Sequence, residues 1–184
     1  MKAKIVIGVA GMPGSGKATV RHIVEGVGYP VVVMGDVVRE EAKRRRMEPT
    51  PENLGLIMLK IREEEGPAVV AKRCLPKIKK AEEKVVVIDG IRSLQEVEEF
   101  KRHFPNFTLI GIQASPETRF QRLFKRRRSD DPRTWETFIE RDTRELSVGL
   151  GDVIATADHI IVNEGTKDQL ERNVHEVLED VIGK

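Results

Sequence analysis

The residues best suited to chemistry lie near the start of the chain, in Gly11-Met12-Pro13-Gly14-Ser15-Gly16-Lys17-Ala18-Thr19. Glycines at 11, 14 and 16 let the backbone wrap closely and point several N–H groups inward, and Lys17 adds a full positive charge. That combination suits the binding of a chain of phosphates, which a following helix N-terminus reinforces. One position departs from the usual pattern. The lysine of such a loop is commonly followed by Ser or Thr, whose hydroxyl holds Mg²⁺. Here the next residue is Ala18, which cannot ligate a metal, and Thr19 follows with a hydroxyl for a phosphate.

Such a loop needs a strand before it and a helix after it. Five apolar, β-branched runs read as strands: Lys4–Val9, Pro30–Met34, Lys84–Asp89, Phe107–Gln113 and His159–Asn163. They are continuously apolar rather than alternating, as expected of parallel strands covered on both faces. Proline, Ser or Thr marks most of the helix starts expected at Lys17, Pro51, Pro67, Ser93, Pro116, Pro132 and Thr166. The pattern predicts an α/β fold of the P-loop type: one domain over 1–184, a five-stranded parallel sheet, and helices on both faces. Two intervals, Asp36 to Ala81 and Pro116 to Ala157, are too long for simple crossovers and read as helical, arginine-rich insertions. They are expected over the C-terminal edge of the sheet, where open α/β folds bind ligands.

Composition narrows the function classes. The 184 residues are 34% charged and 4% aromatic, with a formal net charge of +2. Near-neutral charge alone argues for neither nucleic acid nor membrane as a partner. Cys74 is the only cysteine, which excludes an internal disulfide and points to a reducing cytoplasm. The apolar run at the N-terminus is too short to span a bilayer.

The Gly-Lys-small-Thr arrangement resembles adenylate kinase, whose loop reads G-x-P-G-S-G-K-G-T. The resemblance implies ATP as donor and Mg²⁺ held through nucleotide oxygens and water, so Ala18 fits a nucleotide kinase rather than a GTPase-type metal site. Met34–Glu40, MGDVVRE, looks like the family's T-G-D-x-x-R segment and implies that Asp36 and Arg39 bind the acceptor, Arg39 on its phosphate. Val87–Gln95, VIDGIRSLQ, looks like D-G-F-P-R-x-x-x-Q shortened by one residue. It implies that Asp89 holds a water on Mg²⁺ and that Arg92 reaches the transferring or acceptor phosphate; the shortening displaces Gln95 from base reading. Arg119–Arg127, RFQRLFKRR, looks like the lid arginine segment, with Arg122 on the nucleotide and Arg126 catalytic, one helical turn apart. Glu140–Leu146 supplies Arg141 and Arg144, which could close from the far side of the lid. Ala157–Leu170 looks like the end of dephospho-coenzyme A kinases, A-D-x-V-I-x-N-x-G-[ST]-x-x-x-L. Over nearly its full length the chain is similar to an archaeal, adenylate-kinase-related family of P-loop proteins.

The expected activity is transfer of the terminal phosphoryl of ATP to a small phosphorylated acceptor, a nucleoside monophosphate foremost, with Lys17, Arg92, Arg126 and Arg141 in the chemistry. Two alternatives stand beside it: a dephospho-coenzyme A-type kinase, with Asp36 as base, and an ATP-driven switch acting on RNA or an assembly. Nucleic acid is admitted but not favoured, because the acids of Ser129–Asp131 offset the basic run Lys125–Arg128. Arg39 and Arg92 are expected to converge without a carboxylate partner, which an acceptor phosphate would then supply. Plainer readings remain for several residues: Asp36 as a cap for a helix at Val37, Cys74 and Trp135 as packing residues, and His22, His103, His159 and His175 as structural.

Overall fold

The fold is that of a computed structural model, which describes residues 4–128 and 131–183. The strands are β1 (Ile5–Gly11), β2 (Val31–Val33), β3 (Val85–Asp89), β4 (Asn106–Gln113) and β5 (His159–Val162). They form one parallel sheet in the order β2-β3-β1-β4-β5. The five expected strands and the parallel sheet are all present, and both faces are covered except at the edge strand β5, where Ile160 and Val162 are exposed. Their continuous hydrophobicity has its reason in the packing: Val6, Val86 and Leu109 face one core, while Ile7, Val87 and Ile110 face a second. The second is closed by α1 (Lys17–Gly26) and α9 (Lys167–Ile182); the first by α4 (Val69–Lys80), α5 (Leu94–His103) and α8 (Leu150–Ala155). Cys74 lies in the first core, fully buried, as expected of a packing residue. Among the described residues no helix is long and apolar enough to cross a membrane.

The interval after β2 holds α2 (Met34–Arg44) and α3 (Pro51–Glu65) before α4, and the interval after β4 holds α6 (Pro116–Arg126), α7 (Trp135–Ser147) and α8. Ser115, Thr134 and Thr166 cap α6, α7 and α9, and Ser93 with Glu96 makes a capping box at α5. Local differences from the expectations have local causes. Strand β2 gives way to helix at Met34, so Asp36 falls in the first turn of α2 and caps nothing. Helix α7 starts at Trp135, not Pro132, because the Thr134 hydroxyl takes the Thr137 N–H. Helix α8 was not expected; Gly149, at φ 95°, opens it directly after α7. Ser129 and Asp130, part of the acidic stretch read beside the basic run, lie outside the described residues.

Helices α2, α3 and α4 are tied by ion pairs. Glu41, its side chain 2% exposed, receives Arg44, Arg45 and Arg73 at 2.5–2.8 Å. Arg45 reaches on to Glu64 and Arg73 to Glu65. Arg62 crosses to the buried Glu96 at 2.8 Å.

Candidate functional site: a braced phosphate loop

Strand β1 ends at Gly11 and α1 begins at Lys17, so the nine-residue motif is the turn between them. Gly14 (φ 82°) and Gly16 (φ 109°) occupy the left-handed region, where a side chain is strained. Space excludes a side chain too. A Cβ on Gly14 would meet the Arg119 carbonyl oxygen at 2.7 Å, and one on Gly16 would run into the Asn163 amide. The N–H groups of Gly14, Gly16, Lys17 and Ala18 take no acceptor among the described residues. They are spare donors at a helix N-terminus, the chemistry an anion requires. The buried Ser15 hydroxyl also has no partner.

The loop is braced from two sides. Arg119 of α6 donates from Nη1 to the Pro13 carbonyl at 3.2 Å and clasps Asp142 of α7 with both terminal nitrogens, Nη1 to Oδ1 at 2.8 Å. Both residues of that pair are buried. Asn163, just past β5, donates from Nδ2 to the Ser15 carbonyl at 2.8 Å. Neither brace was assigned from the sequence. Asn163 is the asparagine of the A-D-x-V-I-x-N segment, so its signal was present. Arg119 sits one turn before Arg122, and nothing in the pattern separates the two.

Lys17 donates to the carbonyl of Gly11 and to that of Met12, the latter at 3.3 Å. Burial pushes its ammonium down to about 8, against the opposing pull of Asp89. Asp89, at the end of β3, is itself pushed above the usual carboxylate range by burial, although Lys17, Arg21 and Arg92 draw it back. Arg21 lies 3.7 Å from it. Gly11, Pro13, Lys17, Gly90, Arg92 and Glu145 line one cavity. Thus Lys17, Asp89 and Arg92 come together at the C-terminal ends of β1 and β3. Glu145 of α7 completes the group, 3.7 Å from Arg92 Nη1; sequence reasoning passed it over between Arg144 and Leu146. The Arg92 segment is held in turn by Glu96, which accepts the Arg92 backbone N–H at 2.8 Å.

Arg39 does not line this cavity. It bonds Asp36 at 2.6 Å, with both side chains more than half exposed. The expectation of two converging arginines without carboxylate partners is therefore corrected. Helix α2 starts immediately after β2, which sets Asp36 and Arg39 one turn apart as an i,i+3 pair, and Arg92 faces Glu145. The arginines of α6 also part company. Arg122 donates to the Asn163 carbonyl at 2.9 Å, and its Nη1 is buried without a partner. Arg126 pairs with Asp131 at 2.5 Å, and Arg141 stands 3.8 Å from the same carboxylate. Burial works to raise Asp131, but Arg126, the Arg128 N–H and Arg141 outweigh it and hold the group below its usual range. Arg141 and Arg92 are both near enough to Lys17 to depress its ammonium further. The four histidines meet only carboxylates, backbone or Phe104, and among the described residues no cluster could hold a metal through protein side chains.

Comparison with known proteins places this site in a family. The AAA domain matches residues 10–139. The UPF0200 protein of Pyrococcus furiosus is 51% identical over 178 residues, covering 95% of this chain and 96% of that one. The UPF0200 protein of Methanothermobacter thermautotrophicus is 44% identical over 180 residues, covering 98% and 92%. Among solved structures, TT1252 from Thermus thermophilus superposes with a TM-score of 0.68 at 19% identity, covering 97% of this chain and 98% of that one. Shikimate kinase from Acinetobacter baumannii, in complex with shikimate, gives 0.59 at 16%, covering 98% and 94%. The chain belongs to the UPF0200 family of archaeal proteins, carries an AAA-type P-loop domain, and has a P-loop kinase-like fold.

Proposed function

We propose that the protein moves the terminal phosphoryl group of ATP to a small phosphorylated acceptor, a nucleoside monophosphate foremost. The observation that carries this reading is the placing of Arg92 in the same cavity as Lys17, whose loop carries the spare N–H groups. Phosphoryl transfer rests on positioning and charge neutralisation. Mg²⁺–ATP, when bound, supplies the activated phosphoryl group and the cation that offsets its charge. The loop N–H groups, Lys17 and the Thr19 hydroxyl hold the phosphates. Asp89, at the end of β3, is the carboxylate that would hold a water of the ion when Mg²⁺ is bound. Arg92 grips the acceptor anion through its planar fork. Asp36 and Arg39, on the exposed turn of α2, contribute at the outer edge of the acceptor. Helices α6 and α7 form a lid that carries Arg122 to the nucleotide and Arg126 and Arg141 to the developing charge, excluding water, while α8, buried against the sheet, stays with the core.

A second reading, a hydroxyl acceptor of the dephospho-coenzyme A type, is favoured by one observation. Glu145 and Asp89 place two carboxylates beside Lys17 and Arg92, and a hydroxyl needs a base where a phosphate does not. An acceptor panel separates the readings: nucleoside monophosphates and dephospho-coenzyme A with Mg²⁺–ATP, scored by ³¹P NMR for a new phosphorylated product. The first reading expects a nucleoside diphosphate, and expects Arg92→Lys to raise the acceptor KM and lower kcat/KM by about 10- to 1,000-fold, a point charge having replaced a fork. Product only from dephospho-coenzyme A selects the second. Inorganic phosphate as the sole product with every acceptor contradicts both and leaves an ATP-driven switch.

A further inference from the structure

The outer face of α6 and α7 has no part in the chemistry above, yet it carries the exposed aromatic residues of the chain. Phe120, Phe124, Trp135 and Phe138 make one cluster with ring centroids 5.1–5.9 Å apart. Phe138 is fully buried and Phe120 half-buried, so these two form the floor. Phe124 and Trp135 stand above it, 42% and 39% exposed, each against Phe120; Ile139, one turn further along α7, is 42% exposed. The expectation that Trp135 is simply a packing residue is therefore only half met.

Toward the connection between α6 and α7 the rim of this patch is cationic, while α7 itself adds the exposed Glu136 and Glu140. Lys125, Arg127 and Arg128 follow Phe124 directly, Arg133 comes two residues before Trp135, and all four are exposed. Among the described residues none of the four has an ion-pair partner, whereas Arg126, in their midst, is committed to Asp131. Of those neighbouring acids, Asp131 is taken up by Arg126, and Lys125, Arg127, Arg128 and Arg133 are left exposed. A cationic rim disfavours a second copy of the same face, because like charges would meet. It suits a polyanion, and the aromatic centre narrows which one. Inorganic polyanions offer charge without a stacking surface, and a duplex keeps its bases stacked on each other.

We infer that this face binds single-stranded nucleic acid, with bases stacking on Trp135 and Phe124 and the phosphate backbone running along Arg127, Arg128 and Arg133. This goes beyond the phosphotransferase reading and does not depend on it, since no residue of the patch lines the loop cavity.

Trp135 is the only tryptophan of the chain, so its fluorescence reports directly on stacking. The full chain is titrated with a single-stranded oligoadenylate of about 12 nucleotides, in RNA and DNA forms, at several salt concentrations and with ATP saturating the loop. The inference expects saturable quenching whose affinity falls with salt, at a log–log slope of about −2 for three phosphate contacts. The double variant Arg127→Glu/Arg133→Glu is expected to weaken binding at least tenfold and flatten the slope. Phe124→Ala is expected to weaken binding with the slope unchanged and the circular dichroism spectrum intact. Equal binding of the RNA and DNA strands supports the inference, and a preference for one names the natural source. Absence of quenching overturns it. So does quenching by heparin that Phe124→Ala leaves unaltered, which marks a general polyanion surface, or loss of oligonucleotide binding under saturating ATP, which places the strand in the phosphate loop.

Discussion

The phosphate loop and the segments that follow β2 and β3 are held by different kinds of contact. On the phosphate side, side chains grip the backbone: Arg119 on the Pro13 carbonyl, Asn163 on that of Ser15, Lys17 on those of Gly11 and Met12. Arg119 and Asn163 are buried, and Gly14 and Gly16 have no room for a side chain. After β2 and β3, the charged groups grip each other at the surface. Asp36 meets Arg39 on one exposed helix turn, and Arg92, 41% exposed, faces Glu145 at 3.7 Å. The difference teaches which parts of such a fold are fixed and which are free to change. A loop defined by backbone geometry and buried braces tolerates little, whereas exposed ion pairs can be re-partnered at small cost.

The largest test of that contrast is to remove one pair from each side. Arg119→Ala leaves Asp142 buried without its partner and the loop without a brace. It is expected to cost about 3–5 kcal/mol in denaturant unfolding. Arg39→Ala removes only an exposed pair and is expected to cost less than about 0.5 kcal/mol. Comparable losses from the two variants would erase the distinction between a buried brace and a surface pair.

A smaller effect sharpens the picture of helices α2, α3 and α4. Hydrogen bonding by Arg44 first, then Arg45 and Arg73, brings the Glu41 carboxyl down to about 2 against the opposing effect of burial. A carboxyl with a depressed folded value stabilises above its unfolded value, near 4.5, and that contribution drains away as pH falls from there toward 2. Glu41→Gln is therefore expected to lose about 2 kcal/mol at neutral pH. It should also unfold with a flatter acid limb between pH 4.5 and 2 than the parent. An unchanged acid limb would show that the three arginines do not hold the helices together.

How far the sequence foretold this molecule follows the same divide. The strands were legible because each is apolar on both faces, and the loop because glycine spacing and a lysine have meaning only together. Asp89 and Arg92 were placed with it because they follow a recognisable strand end. Arg119, Asn163 and Glu145 were not assigned, since their roles come from partners 23 to 148 residues away in the chain or from a cavity wall. The carboxylate partner of Arg39 was missed for a local reason: the early start of α2 at Met34 sets Asp36 one turn before it. Helix α8 depended on a left-handed glycine that no periodicity announces.

The smallest expected effect concerns the residue that departs from the usual loop pattern. Ala18 lies at the start of α1 with a spare N–H. If the metal is carried by phosphate oxygens and water, Ala18→Ser changes turnover by less than tenfold, or about 1.4 kcal/mol in the barrier. A larger gain would mean that the loop lacks a ligand it needs.

The central claim is that the braced loop is a working phosphate site whose lysine is kept for binding at a cost to the fold. Burial lowers the folded value of Lys17 to about 8 from 10.5, so its protonated form is disfavoured on folding. The cost is full below about 8 and fades as pH rises from there toward 10.5. Lys17→Met, measured at pH 7 by calorimetric titration with ATP and by thermal unfolding, separates binding from folding. The account predicts an ATP affinity at least about 100-fold weaker, close to 2.7 kcal/mol, with a Tm equal to or above the parent's. Retained ATP affinity, or a weaker affinity accompanied by a large fall in Tm, would contradict it.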